Sequence, residues 1–286
     1  MKYNLKNIAL ETGLSISTVS RFLCGKRRYY NQKEKLIFKT ANKYNYPFIH
    51  NFYNNGIKLK VSLIMNIRKG EFFSSLLSDF HIAAKDSNCD IEIIDIKKND
   101  FLENKIESLV ENKDGLCILF PNLNRDDCNI LESYLNKIPI LSLSPIIEAS
   151  VNTITFDNYK GGYLAAKHLK DSGYENIGII SGNDSLFEAS QRRNGFMDYL
   201  SSNNMKCIWE YKGDYSLESG HKAFENFHKR DLYDIGIFGV NDVMCFGFMK
   251  LALLSGINIP ERLSIIGFDN TPFCKNSIPE LSSIST

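Results

Sequence analysis

Apolar residues change their spacing along this chain of 286 residues. Over residues 5–12 and 16–23 they recur every three or four positions. Leu5, Ile8 and Ala9 fall on one side of the first stretch, and Ile16, Val19 and Leu23 on one side of the second, which predicts two short amphipathic helices. Asn4 precedes the first as an N-cap, and Gly13 follows it where a left-handed residue stops a helix. Ser15 then caps the second. A third helix is expected over residues 33–45, with Leu36, Ile37 and Ala41 facing inward and the Tyr46-Pro47 pair ending it.

Beyond residue 60 the rhythm becomes that of strands. Lys60–Met65, Asp90–Ile96, Gly115–Phe120 and Pro139–Leu143 are short, branched, nearly continuous apolar runs, as expected for parallel strands covered on both faces. Phe72–Ser87, Phe101–Asn112 and Asp126–Asn136 between them read as helices. The alternation restarts with Thr153–Phe156, Asn176–Ile180, Lys206–Tyr211, Asp234–Val240 and Leu263–Phe268, each separated by a helix-length segment. The body is therefore expected to hold two doubly wound α/β lobes, with chain enough for a core in each.

Charge divides the chain at the same place. Residues 1–60 carry twelve Lys and Arg against two acids, whereas the remainder carries 22 basic and 31 acidic residues. The net charge of +1 conceals a basic head on an acidic body, and such a head is an electrostatic footprint for a polyanion. The N-terminus has no apolar signal-type run and no stretch is long enough to span a bilayer, so a cytoplasmic protein without a membrane partner is expected. Seven scattered cysteines form no Cys-x-x-Cys pair and the five histidines show no zinc spacing. Neither a metal nor a cofactor is expected. No glycine-rich dinucleotide loop, Walker loop or nucleophile elbow is present, which argues against an enzyme. Gly182-Asn183-Asp184-Ser185 follows a strand but lacks the glycine density of a phosphate loop.

Gly13 to Arg21 read as the turn and second helix of a helix-turn-helix. Ser17, Thr18, Ser20 and Arg21 lie off the apolar side and offer short hydroxyls and a guanidinium, chemistry suited to phosphates and base edges. Two short helices joined by a glycine also occur in proteins that touch no nucleic acid, and the charge segregation is what favours DNA. Asn4 to Gly13, followed by Leu-Ser-Ile-Ser-Thr-Val-Ser-Arg-Phe-Leu, resembles the head of the lactose repressor/galactose repressor family of bacterial transcription regulators. The resemblance implies that the start of the second helix enters the major groove. Ile16 and Ser17 then stand at the variable base-reading positions, Arg21 makes a further base or phosphate contact, and Ser15, Thr18 and Ser20 complete the DNA-binding set on the backbone side. Ile16 offers only apolar contact and Ser17 only a short hydroxyl, so readout would rest on thymine methyls, Arg21 and DNA shape.

The resemblance continues through Phe156-Asp157-Asn158, Arg192-Arg193-Asn194-Gly195-Phe196, Gly213-Asp214-Tyr215, Val240-Asn241-Asp242 and Ser264 to Asp269. It implies a body like the periplasmic sugar-binding proteins, two lobes closing on a small molecule, with Asp157, Arg192, Tyr215 and Asp242 lining the site and Phe73 joining from the first lobe. Taken singly, Asp157, Asp242 and Asp269 each follow a strand and equally suit the N-cap of the next helix, and Arg193 suits a solvated helix face. Carboxylates, a guanidinium and an aromatic match a sugar, which is preferred here to a purine. The sequence departs from the family at the hinge, where Asn55 stands at the usual leucine position and Ile57 would serve only in a shifted register. It is also C-terminally short relative to the family.

The expected organisation is a helix-turn-helix domain over residues 1–46, a hinge over 47–60, and a two-lobed effector-binding and dimerisation body over 61–286. The expected protein is a repressor acting as a homodimer on a near-palindromic operator. The rival reading is a small-molecule binding protein of the same fold that has lost DNA binding.

Overall fold

The computed structural model describes residues 4–23, 32–44, 46, 58–67, 70–96, 102–120, 123–146, 151–230, 232 and 234–286. The expected hinge positions Asn55 and Ile57 lie outside the described residues.

Three helices open the chain: α1 (Leu5–Thr12), α2 (Ile16–Leu23) and α3 (Gln32–Lys43). Asn4 caps α1 by accepting from the Lys6 and Asn7 amides, and Gly13 ends it at φ 65°. Ile8, Ala9, Val19, Phe22, Leu23, Ile37 and Ala41 form one buried cluster across the three. One expectation changes here: Leu36 is 44% exposed rather than inward-facing, and Ile16, although on the apolar side of α2, is 44% exposed as well. Helical side chains lean toward the helix N-terminus, so Ile16, the first residue of α2, overhangs the helix end, and Phe22 takes the inward place beside Val19 and Leu23. Glu11 joins α1 to the end of α3 by accepting from Lys43 Nζ at 2.6 Å and from the Tyr44 hydroxyl.

The chain falls into two compact units, one of residues 1–68 and 76–154 and the other of residues 69–75 and 155–286. The first sheet contains β1 (Leu59–Met65), β2 (Cys89–Asp95), β3 (Gly115–Leu119), β4 (Ile140–Ser142) and β5 (Asn152–Thr153). They pair in parallel in the order β2-β1-β3-β4-β5. Helices α4 (Glu71–Asp86), α5 (Leu102–Val110) and α6 (Arg125–Tyr134) connect them. Ile64, Ile106, Leu116, Ile118 and Leu131 centre its core. The run Thr153–Phe156, expected to open the second lobe, instead ends the first sheet: Leu141 pairs with Asn152 and Ser142 with Thr153.

The second sheet contains β6 (Asn176–Ser181), β7 (Cys207–Lys212), β8 (Ile235–Gly239), β9 (Leu263–Asp269) and β10 (Ser282–Ser285). Its connecting helices are α7 (Asn158–Asp171) leading into β6, α8 (Phe187–Ser202), α9 (Leu217–His228), α10 (Asp242–Leu254) and the short α11 (Phe273–Asn276). The order is β10-β9-β8-β6-β7, all parallel. Counted within its own unit, each sheet therefore has the order 2-1-3-4-5, with its topological switch point between its first and third strands. The polar edge strand β10, Ser-Ser-Ile-Ser, has no apolar run to announce it. Helices α7 and α8 touch backbone to backbone. A Cβ on Gly162 would lie 1.8 Å from the Arg192 carbonyl oxygen, and one on Gly195 1.9 Å from that of Tyr159. No helix among the described residues is long and apolar enough to cross a membrane.

Candidate functional site

Two polar surfaces stand out. On α2, the Ser15 side chain accepts from the Thr18 amide at 3.1 Å and shares a 2.8 Å hydroxyl contact with Thr18 Oγ1. Ser15 and Thr18 thus fix the helix start. Val19, Phe22 and Leu23 are buried beneath it, while Ile16, Ser17 and Arg21 are exposed. Ser17 and Arg21 are one turn apart and so share a face. An exposed isoleucine beside a hydroxyl and a guanidinium is a surface that can meet methyl groups, base edges and phosphates.

The second surface lies at the carboxyl ends of the second sheet's strands, where open α/β sheets bind ligands. Arg192 projects from α8 and is 7% exposed. Its Nε donates to Asn158 Oδ1 at 2.8 Å and its Nη1 to the Val240 carbonyl at 2.6 Å. The guanidinium lies 3.6 Å over the Phe268 ring and 3.6 Å from Asp269 Oδ1. The stacking and bonds fix its direction. Asp269, with 10% of its side chain exposed, accepts no hydrogen bond there from the described residues. Burial pushes its carboxyl up to about 7, Asp242 adds to the rise, and Arg192 draws it back.

Tyr215 borders β6: a Cβ on Gly182 would lie 2.7 Å from its ring. Burial pushes its phenol up to about 12. Tyr215 at φ 71° and Asp269 at φ 108° both occupy the left-handed half of backbone space, conformations that cost energy for residues with side chains and concentrate at functional sites.

The expected residues thus divide. Arg192 and Tyr215 belong to this cluster, and Asp269, which no local signal separated from the other strand-end aspartates, joins them. Asp157 is exposed and caps α7, its Oδ1 accepting from the Lys160 amide at 2.9 Å. Asp242 is 0% exposed, so the expectation that it lines the site is corrected: its oxygens are committed to Ser283, Thr271 and Cys274. Phe73 is half-buried near the start of α4, with its ring edge-on to Phe72 at 5.4 Å. Arg193 is no plain solvated residue, since its Nε and Nη2 donate to Glu210 at 2.7 and 2.8 Å. No cluster of metal-binding side chains occurs among the described residues.

Residues 166–286 match the model of the periplasmic binding protein-like domain. Nearly the whole chain is also similar to characterised regulators. The HTH-type transcriptional repressor PurR of Mannheimia succiniciproducens is 24% identical over 98% of this chain and 86% of its own length. The HTH-type transcriptional regulator DegA of Bacillus subtilis is 27% identical over 100% and 87%. A lac repressor dimer, solved bound to operator and the anti-inducer ONPF, has the same fold as this chain, at TM-score 0.70 and 22% identity over 100% of this chain and 88% of that one.

Proposed function

We propose that this chain is a DNA-binding transcription regulator, a repressor rather than an enzyme, whose operator affinity responds to a small molecule. The observation that carries the reading is the exposed Ile16, Ser17 and Arg21 face on a capped helix, set on a basic head and joined to a body that matches the periplasmic binding protein-like domain. Residues 4–46 serve as the helix-turn-helix headpiece, with α2 as its reading helix. One head makes few base contacts, so the functional unit is a homodimer on a near-palindromic operator.

The effector site is the Arg192, Asp269 and Tyr215 cluster. Asp269 offers acceptors and Arg192 keeps its Nη2 end without a partner among the described residues, an arrangement suited to neighbouring hydroxyls on a sugar. Binding there shifts the population of body conformers and, by linkage, the affinity for DNA.

Selection of bound fragments from a random DNA pool by the full chain tests the first part. Enrichment of one near-palindromic site is expected, with loss of that enrichment in Arg21→Ala and a salt dependence shallower by about one counterion. Enrichment by Arg21→Ala equal to that of the parent chain overturns the assignment of α2, and absence of enrichment by the parent chain favours a binding protein that does not read DNA.

A further inference from the structure

Asp242 is buried and ionisable, and it lies close enough to raise the Asp269 carboxyl, but its own hydrogen bonds go elsewhere. Its bonds instead gather the segment that follows Asp269. Oδ2 accepts from the Thr271 amide at 2.8 Å and from Cys274 Sγ at 3.1 Å. Oδ1 accepts from the Ser283 hydroxyl at 2.6 Å, and that hydroxyl in turn accepts from the Asn270 amide at 2.9 Å. The amides of residues 270 and 271 are therefore tied, through Ser283 on β10 and through Asp242 at the start of α10, to two separate elements. The fit is close: a Cβ on Gly267 would lie 2.2 Å from Asp242 Oδ1.

What these ties oppose is visible in the backbone. Asp269 has φ 108° and Asn270 φ 51°. An aspartate at such a φ persists only where its surroundings over-determine it, since ordinary dihedrals are otherwise favoured. Relaxation at residue 269 would swing its side chain away from Arg192. Reaching two consecutive amides with one carboxylate and one hydroxyl is a direct way to forbid that rotation.

The geometry points to Asp242 and Ser283 as positioning residues for Asp269: they clamp the amides of residues 270 and 271 and so keep the Asp269 carboxylate beside Arg192. The role rests on reading Asp269 as an effector-site group, but the clamp itself is tested without effector. The groups facing that carboxylate are Arg192 from α8, Asp242 and Cys245 from α10, and Tyr215 ahead of α9.

The test is a ¹³C NMR titration of the Asp269 side-chain carboxyl in the full chain, with Asp269→Asn fixing the assignment. The parent midpoint is expected at about 7. In Ser283→Ala the clamp loses its hydroxyl, the carboxyl gains solvent, and the midpoint falls by about one unit or more toward the ordinary carboxylate range. Ser283→Thr keeps a hydroxyl at an edge-strand position and restores the parent midpoint. A Ser283→Ala chain that melts earlier but titrates at Asp269 like the parent overturns the proposal, because the bond is then structural only. So does a Ser283→Thr chain that titrates like Ser283→Ala. Failure of Arg192 or Asp269 substitutions to alter sugar binding would instead overturn the effector-site reading and leave the clamp standing.

Discussion

Asp269→Asn should stabilise the protein at alkaline pH while removing effector binding. Folded Asp269 holds its proton up to about 7, against an ordinary value of 3.8. Between those values the folded chain binds the proton and the unfolded chain has released it, so this group makes stability fall as pH rises through the window. The stabilising contribution is fully present below the unfolded value and is lost by the folded one. The gap is about 3 on the pH scale, and at about 1.4 kcal/mol for each unit it amounts to an upper bound of about 4 kcal/mol. With 10% of the side chain exposed, little of that is screened by solvent. The Arg192 attraction is already contained in the raised value, since it acts against burial.

Asparagine mimics the protonated carboxyl, so the variant pays no ionisation cost at any pH. Denaturant unfolding of both chains at several pH values measures the difference directly. Near pH 4 the two should agree within about 1 kcal/mol, and by about pH 8 the variant should lead by a few kcal/mol. Every group other than residue 269 is common to both chains and cancels in the difference. A difference that stays constant from acid to alkaline pH would refute the reasoning, because the Asp269 carboxyl would then carry no folding-linked proton. A stability gain that costs binding is the usual relation at a site selected for recognition.

Gly162→Ala places a Cβ 1.8 Å from the Arg192 carbonyl, so α7 and α8 must separate. The expected cost is about 2 kcal/mol after the gain in helix propensity, read as a melting temperature lower by about 4–8 °C. Arg192→Ala should abolish sugar binding in isothermal calorimetry, because it removes the guanidinium anchored by Asn158 and Val240. Arg193→Ala should leave that binding unchanged and cost about 1 kcal/mol or less, since its pair with Glu210 is about one-third exposed.

The sequence disclosed elements better than it disclosed partners. Caps and breakers act locally, so Asn4, Gly13 and Ser15 bound their helices where the spacing of residues predicts. Buried parallel strands carry their own apolar signal, and β6, β8 and β9 stand where their runs do. Strand β10 could not be found that way, because an edge strand reading Ser-Ser-Ile-Ser is held by pairing with β9 and not by burial of its side chains. The three strand-end aspartates were alike in sequence context. Asp157 became a local cap on Lys160, whereas Asp242 became an interior clamp and Asp269 the partner of Arg192 through neighbours far away in the chain, Ser283 and Arg192.

The two sheets also show why topology alone does not make a site. Both have the order 2-1-3-4-5, so β4 in the first corresponds to β9 in the second. At the end of β4 the polar groups satisfy one another: the Ser142 hydroxyl donates to the Ser144 carbonyl at 2.7 Å and accepts from its amide at 3.2 Å, with both serines buried. That end is chemically closed. At the end of β9 the backbone turns through a left-handed aspartate, its carboxyl accepts no hydrogen bond from the described residues, and the guanidinium beside it is anchored from behind by Asn158, Val240 and Phe268. Unmet bonding capacity held in place by satisfied neighbours is what a ligand can complete, and of these two corresponding strand ends only β9 presents it.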